Sequence, residues 1–182
     1  MYVYAEQAPP KGNAHKGMSG FTLIELLVVI AIIGLLSSVV LSSLNAARER
    51  SKNTSTVAQV LQYEKAINLY YSNTGSFPGS TSWACVGTGY PGGVCWSSSS
   101  YTESSSASVN FRNALSSLID TSVIPGPSTR TFGTMYQTTS GGGFNILYTL
   151  EGDVSCPIGT KTTGSSYTNA GVTRCNYYNR GL

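Results

Sequence analysis

Residues 21–44 read FTLIELLVVIAIIGLLSSVVLSSL, and Glu25 is the only ionisable side chain among them. Coiled as an α-helix, the stretch extends about 36 Å at ~1.5 Å per residue, enough to cross a hydrocarbon core of ~30 Å. It stands close to the N-terminus behind Lys11 and Lys16, where a cleavable secretory signal would also stand. Its apolar length exceeds the roughly 7–15 residues of a secretory hydrophobic region, and no A-x-A pattern follows it. Helix-forming sequence continues instead through Asn45-Ala46-Ala47-Arg48-Glu49-Arg50. The segment is therefore expected to stay in the mature protein as a membrane helix. Basic residues flank it on both sides, Lys11 and Lys16 before and Arg48, Arg50 and Lys52 after, so a positive-inside bias assigns no orientation.

The whole chain has 182 residues, which suits one modest domain plus an appendage. Charged residues make up 10% of it, against roughly 25% in an average soluble domain, and the net charge is only +3. Gly (20) and Tyr (12), with abundant Ser and Thr, give a polar but uncharged remainder. That balance argues against a charge-rich disordered tail, a coiled coil, a cytosolic housekeeping enzyme and a nucleic-acid binder driven by charge. All four cysteines, Cys85, Cys95, Cys156 and Cys175, lie in the C-terminal portion at spacings of no zinc ribbon or CxxC redox motif. Disulfides formed in an oxidising compartment are the expected use, which places the C-terminal domain outside the cytoplasm. Four cysteines allow three pairings. Cys85–Cys95 and Cys156–Cys175 are preferred, because each couple brackets a Gly/Ser/Thr-rich segment with little apolar content to hold it.

Glu25 is the anomaly in the apolar run. A carboxylate near the centre of a membrane helix costs on the order of 2.5–3.5 kcal/mol, less near an end. Glu25 either sits at the interface or is paired with a positive group. The residues Gly20-Phe21-Thr22-Leu23-Ile24-Glu25-Leu26, followed by about twenty apolar positions, resemble the class III signal sequence of type IV prepilins and pseudopilins. The resemblance implies that residues 1–20 form a leader, that prepilin peptidase cuts between Gly20 and Phe21, and that Phe21 becomes an N-methylated N-terminus. It further implies that Glu25 pairs with the N-terminal amine of a neighbouring subunit during assembly. Ser42 stands where many members carry proline, and residues 1–20 are longer than the short leaders common in the family.

Beyond Leu44 the pattern turns amphipathic, with Val57, Val60, Tyr63, Ile67 and Tyr70 recurring every three or four residues. Asn73-Thr74-Gly75 reads as a helix stop, and Pro78 prevents resumption. The phrase Tyr70-Tyr71-Ser72-Asn73-Thr74-Gly75-Ser76-Phe77-Pro78 also resembles the end of this helix in pilins and pseudopilins. Residues 79–108 read as loop, with Ser97–Ser100 and Ser104–Ser106 as solvated Ser-rich stretches. A short helix is predicted over Asn110–Ile119 from Phe111, Leu115 and Leu118, ending before Pro125-Gly126-Pro127. Alternation then predicts a hairpin: Phe132, Thr134 and Tyr136 on one face, a long turn at Ser140-Gly141-Gly142-Gly143, and Phe144, Ile146, Tyr148 and Leu150. A third strand is expected near Thr173–Tyr178.

A search for chemistry finds little. The single histidine, His15, falls in the expected leader, which removes Ser-His and Cys-His nucleophiles and histidine metal sites from the processed chain. Glu151 and Asp153 offer too few oxygens for a 6–8-coordinate calcium ion, so a solvated turn is the preferred reading. Tyr167, Tyr177, Tyr178, Arg174 and Arg180 could stack on nucleic acid, but packing explains them more simply.

The expected fold is α+β, a long hydrophobic N-terminal helix with a small C-terminal antiparallel β-sheet headpiece. The expected organisation is a leader at 1–20, a helix at 21–73 (21–44 in membrane or filament core, 45–73 amphipathic) and a headpiece at 74–182. The resemblance implies a non-enzymatic structural subunit of a type IV pilus-like filament, without cofactor or metal. Its alternatives are a pseudopilin of a type II secretion system or a minor or competence pilin; a single-pass anchored binding domain is the reading from another class. The partners it implies are prepilin peptidase, further copies of the chain, an inner-membrane assembly platform and the cytoplasmic membrane. The implied location is first that membrane and then a cell-surface filament.

Overall fold

The structure is a computed structural model. It describes residues 20–79, 81–96, 101–123, 125–126, 133–162 and 171–180. The expected leader up to residue 19, His15, Ser97–Ser100, Pro127, Phe132 and Tyr167 lie outside the described residues. Two compact units divide the chain, Met1–Ser42 and Ser43–Leu182.

Helix α1 spans Leu23–Thr74 and runs through Gly34 and Ser42 without a break in its helical assignment. Its end follows the chemistry of the sequence. Gly75 takes φ +71°, which costs a residue without Cβ little, and its N–H donates to the Tyr71 carbonyl at 2.8 Å. Phe77 then folds back to stack on Tyr71 with ring centroids 4.4 Å apart, and Pro78 follows.

In the unit Ser43–Leu182, one stripe of α1 is buried: Val60, Tyr63, Ala66 and Ile67, with Val57 and Tyr70 packed beside them. The stripe lies against an antiparallel five-stranded sheet ordered β1-β2-β3-β5-β4. The strands are β1 (Ala84–Cys85), β2 (Met135–Thr139), β3 (Gly143–Glu151), β4 (Thr160–Thr162) and β5 (Val172–Asn179). Tyr136, Phe144, Ile146, Tyr148 and Leu150 turn to the helix side, where they meet Phe111 and Leu115 of α2 (Ser106–Leu115). Each such side chain contributes about 1.5–3 kcal/mol when fully buried. Met135 and Leu147 turn to the opposite face, against Cys85, Tyr90 and Cys95. Residues 83–96 and Tyr101 therefore cover the second face of the sheet.

Three expectations are corrected. Helix α2 begins and ends four residues earlier than 110–119, because Ser105 caps it by accepting the Ser108 N–H. Leu118 and Ile119 keep the apolar spacing outside the helix, and both their N–H groups donate to the Leu115 carbonyl, at 2.8 and 3.0 Å. The hairpin turn is short rather than long: Thr139 pairs with Gly143, leaving three residues in the loop with Gly142 at φ +80°. Gly143 admits no side chain, since a Cβ there would lie 2.3 Å from the Asn179 carbonyl oxygen. Finally, β1 arises in a segment read as loop, and β4 where no strand was expected; they are two and three residues long and each pairs with one neighbour among the described residues.

Polar contacts tie α1 to the sheet at two heights. Lys52 Nζ lies 2.9 Å from Glu151 Oε1, and the Asn53 side chain donates to the Glu151 carbonyl and accepts its N–H, at 2.9 and 2.8 Å. Three turns further on, Glu64 accepts hydrogen bonds from the Tyr177 hydroxyl at 2.5 Å and the Asn179 amide at 3.4 Å.

Candidate functional site

From Leu26 to Leu41 the helix carries no ionisable side chain on any face and is exposed throughout, with Phe21 at 84% and Leu23 at 88% ahead of it. A soluble surface helix keeps one polar face; a helix apolar all round belongs in lipid or in a packed core. Within the run Ser38 Oγ donates to the Leu35 carbonyl at 2.8 Å, which turns that polar group back onto the helix itself.

Glu25 sits at the N-terminal end of this run, and the structure supplies a partner that the sequence reading did not name. Thr22 is the residue before the helix and Glu25 its third position. The Thr22 hydroxyl and N–H donate to Glu25 Oε2 at 2.7 and 2.9 Å, while the Glu25 N–H donates to Thr22 Oγ1 at 3.3 Å. This reciprocal arrangement satisfies two N–H groups that a helix start otherwise leaves bare. The signal was present in the order Thr22-Leu23-Ile24-Glu25, a T-x-x-E capping box directly ahead of an apolar run. Both bonds from Thr22 fall on one carboxylate oxygen, so the group can keep its capping role and still accept a donor on the other. Gly20 and Phe21 precede the helix in non-helical backbone, and both are exposed.

The remaining site residues sit in the unit Ser43–Leu182. Cys85 is bonded to Cys95, and Cys156 to Cys175, with Cα–Cα distances of 5.8 and 5.7 Å. The first bridge closes the segment over the outer sheet face; the second ties the chain before β4 to the middle of β5. Glu151 and Asp153 form ion pairs with Lys52 and Lys161, and among the described residues no group of three or more metal-ligating side chains assembles. Arg174 is 4% exposed and lies 3.6 Å from the Trp96 ring centroid, a buried cation–π contact. Burial and the Glu64 carboxylate push the Tyr177 hydroxyl up to about 12. Neither residue offers a stacking surface for nucleic acid.

An exposed, all-apolar N-terminal helix ahead of an α+β unit defines a class of subunit that is anchored or assembled through that helix. Residues 15–41 match the family described as the prokaryotic N-terminal methylation motif. Over 60 residues the chain is 35% identical to the type II secretion system core protein G of Aeromonas hydrophila, covering 33% of this chain and 42% of that protein. Over 69 residues it is 38% identical to a fimbrial protein of Neisseria meningitidis serogroup B, 38% of this chain and 41% of the relative. Over 62 residues it is 40% identical to the type IV wide pilus major component PilA4 of Thermus thermophilus, 34% and 47%. The match thus spans less than half the length of each of these relatives. No solved structure matches the chain. The N-terminal part of the chain is thus similar to that of type IV pilus components and of a type II secretion core protein.

Proposed function

We propose that this protein is the structural subunit of a type IV pilus-like filament, held in the cytoplasmic membrane by residues 21–44 until it is assembled. The observation that carries this reading is the exposed surface of Leu26–Leu41, with no ionisable side chain on any face, beneath a processing motif. The same surface serves in lipid before assembly and against other copies of the chain afterwards, so transfer from one to the other exposes no apolar area to water. Prepilin peptidase cuts between Gly20 and Phe21 and N-methylation follows; an inner-membrane platform then adds the subunit to the filament. The headpiece lies outside the cytoplasm, where its two disulfides are stable. The match to a major pilus component and a fimbrial protein supports a surface pilus; the match to core protein G supports, as a second reading, the short pseudopilus of a type II secretion system.

Cleavage creates a positive amine on Phe21, four residues from Glu25 along the chain and at the same depth as the Glu25 of an adjacent subunit. An unpaired buried charge costs several kcal/mol, so a subunit docked at the wrong axial height is penalised at both groups. Glu25→Leu is expected to insert into membrane at least as well as the native chain, to keep its disulfides, and to fail in filament assembly. Sheared surface filaments and membrane fractions from the same cells, quantified by immunoblot, measure both. Normal filament yield from Glu25→Leu would refute the charge-pairing mechanism, and absence of the native chain from any filament would refute the function.

A further inference from the structure

A second feature, independent of the assembly helix, lies where the loop ahead of β1 meets the first turn of α2. Trp83 and Tyr101 line a cleft of about 420 Å³ together with Ser82, Ser105, Ser106 and Asn110. That volume falls within the ~300–1,000 Å³ typical of small-molecule sites. The two aromatic residues are fixed from behind, packing on the cluster of Cys85, Tyr90, Cys95 and Met135. Tyr101 is further anchored by its carbonyl, which accepts the Cys95 N–H at 3.1 Å, and by the adjacent bridge between Val94 and Thr102. The polar side is anchored as well: Ser105 caps α2, and Ser108 donates to the Thr102 carbonyl while accepting the Cys85 N–H, both at 2.8 Å. The cleft is preformed.

Its chemistry is selective. Among the described residues no charged side chain lines it. Two charged residues close in sequence to Tyr101 and Asn110 are committed elsewhere: the Glu103 carboxylate accepts the Tyr90 N–H, and the Arg112 guanidinium donates to the Glu103 and Gly87 carbonyls, at 2.7 and 3.4 Å. An ionic ligand finds no counter-charge from these residues, and a wholly apolar one would cover the Ser106 hydroxyl and the Asn110 amide without offering either a hydrogen bond. A ring with an aliphatic C–H face and a hydroxylated edge satisfies both walls. We propose that this cleft binds a neutral pyranose sugar, its C–H face on Trp83 and Tyr101 and its hydroxyls on Ser106 and Asn110.

The chain's two tryptophans make the test direct, since Trp96 is held against Arg174 and only Trp83 lines the cleft. Trp96→Phe in the full-length chain, solubilised in a detergent without a sugar headgroup, leaves Trp83 as sole reporter. Its fluorescence is titrated with the methyl glycosides of glucose, galactose, mannose and N-acetylglucosamine, with glucuronate, inorganic phosphate and a polyproline peptide as contrasting probes. Saturable change with at least one neutral glycoside is expected. It should weaken by about tenfold or more in Tyr101→Ala, which removes one stacking face. Asn110 is exposed, so Asn110→Ala keeps the fold and should weaken binding measured by calorimetry. Response to none of the neutral glycosides overturns the proposal, as does preference for phosphate, glucuronate or polyproline, or a glycoside affinity untouched by both substitutions.

Discussion

Asn53→Ala isolates the contact that docks the assembly-side end of the headpiece helix. Among the described residues strand β3 pairs with β2 only as far as Leu147, and none of them lies as a strand on that edge beyond it. There the Asn53 carboxamide does the work of a strand residue, offering one donor and one acceptor to the backbone of Glu151 at 2.9 and 2.8 Å. Two hydrogen bonds at about 0.5–1.5 kcal/mol net each would sum to roughly 1–3 kcal/mol. The middle of that range, about 2 kcal/mol, is the expected loss. With a urea slope of ~1–3 kcal/mol per molar, the unfolding midpoint of the unit Ser43–Leu182 should fall by about 1 M. Lys52→Ala is the internal control. Its ion pair with the same Glu151 involves a side chain 61% exposed, so its loss should cost well under 1 kcal/mol. Urea unfolding followed by tryptophan fluorescence measures both variants. A loss below about 0.5 kcal/mol for Asn53→Ala, or an equal loss for Lys52→Ala, would refute the assignment of docking strength to the paired amide.

Other expectations follow from the same contacts. Mass spectrometry of the mature N-terminus should find Phe21, N-methylated, and a mature chain beginning at Met1 would contradict the processing proposal. Cys156→Ser with Cys175→Ser should destabilise the headpiece by roughly 3 kcal/mol through the freed loop, read from thermal melts against the native chain; non-reducing peptide mapping that linked Cys85 to Cys156 would overturn the pairing itself. Burial pushes the hydroxyls of Tyr63, Tyr148 and Tyr177 up to about 12, so the neutral form is favoured in the fold. Stability should therefore be unchanged below pH ~10 and fall between about 10 and 12, as the unfolded chain loses protons that the folded one retains. Tyrosinate absorbance should show these residues ionising late, and Tyr177→Phe should remove one of them while loosening Glu64.

The amino-acid sequence by itself determined the properties carried by near neighbours in the chain. Twenty-odd consecutive apolar residues make a membrane-length helix whatever surrounds them, and Gly75 ends the helix through a local backbone preference. The alternation of Phe144, Ile146, Tyr148 and Leu150 likewise commits β3 to one buried face before any partner is chosen. Even the Thr22–Glu25 cap was written in a four-residue phrase. Only the tertiary structure decided the rest. Strands β1 and β4 carry too few residues to show a period, and they exist because β2 and β5 offer edges for them to pair with. Helix α2 starts earlier than its apolar spacing because the Ser105 side chain caps it there, while Leu118 and Ile119 pack on the core from outside the helix. Asn53 and Glu151, or Glu64 and Tyr177, lie about a hundred residues apart in sequence, and Trp83 reaches the first turn of α2 only because β1 joins the sheet there. Local propensity specifies conformation, but contacts between distant side chains depend on which surfaces the core brings together, and no short stretch of sequence contains that information.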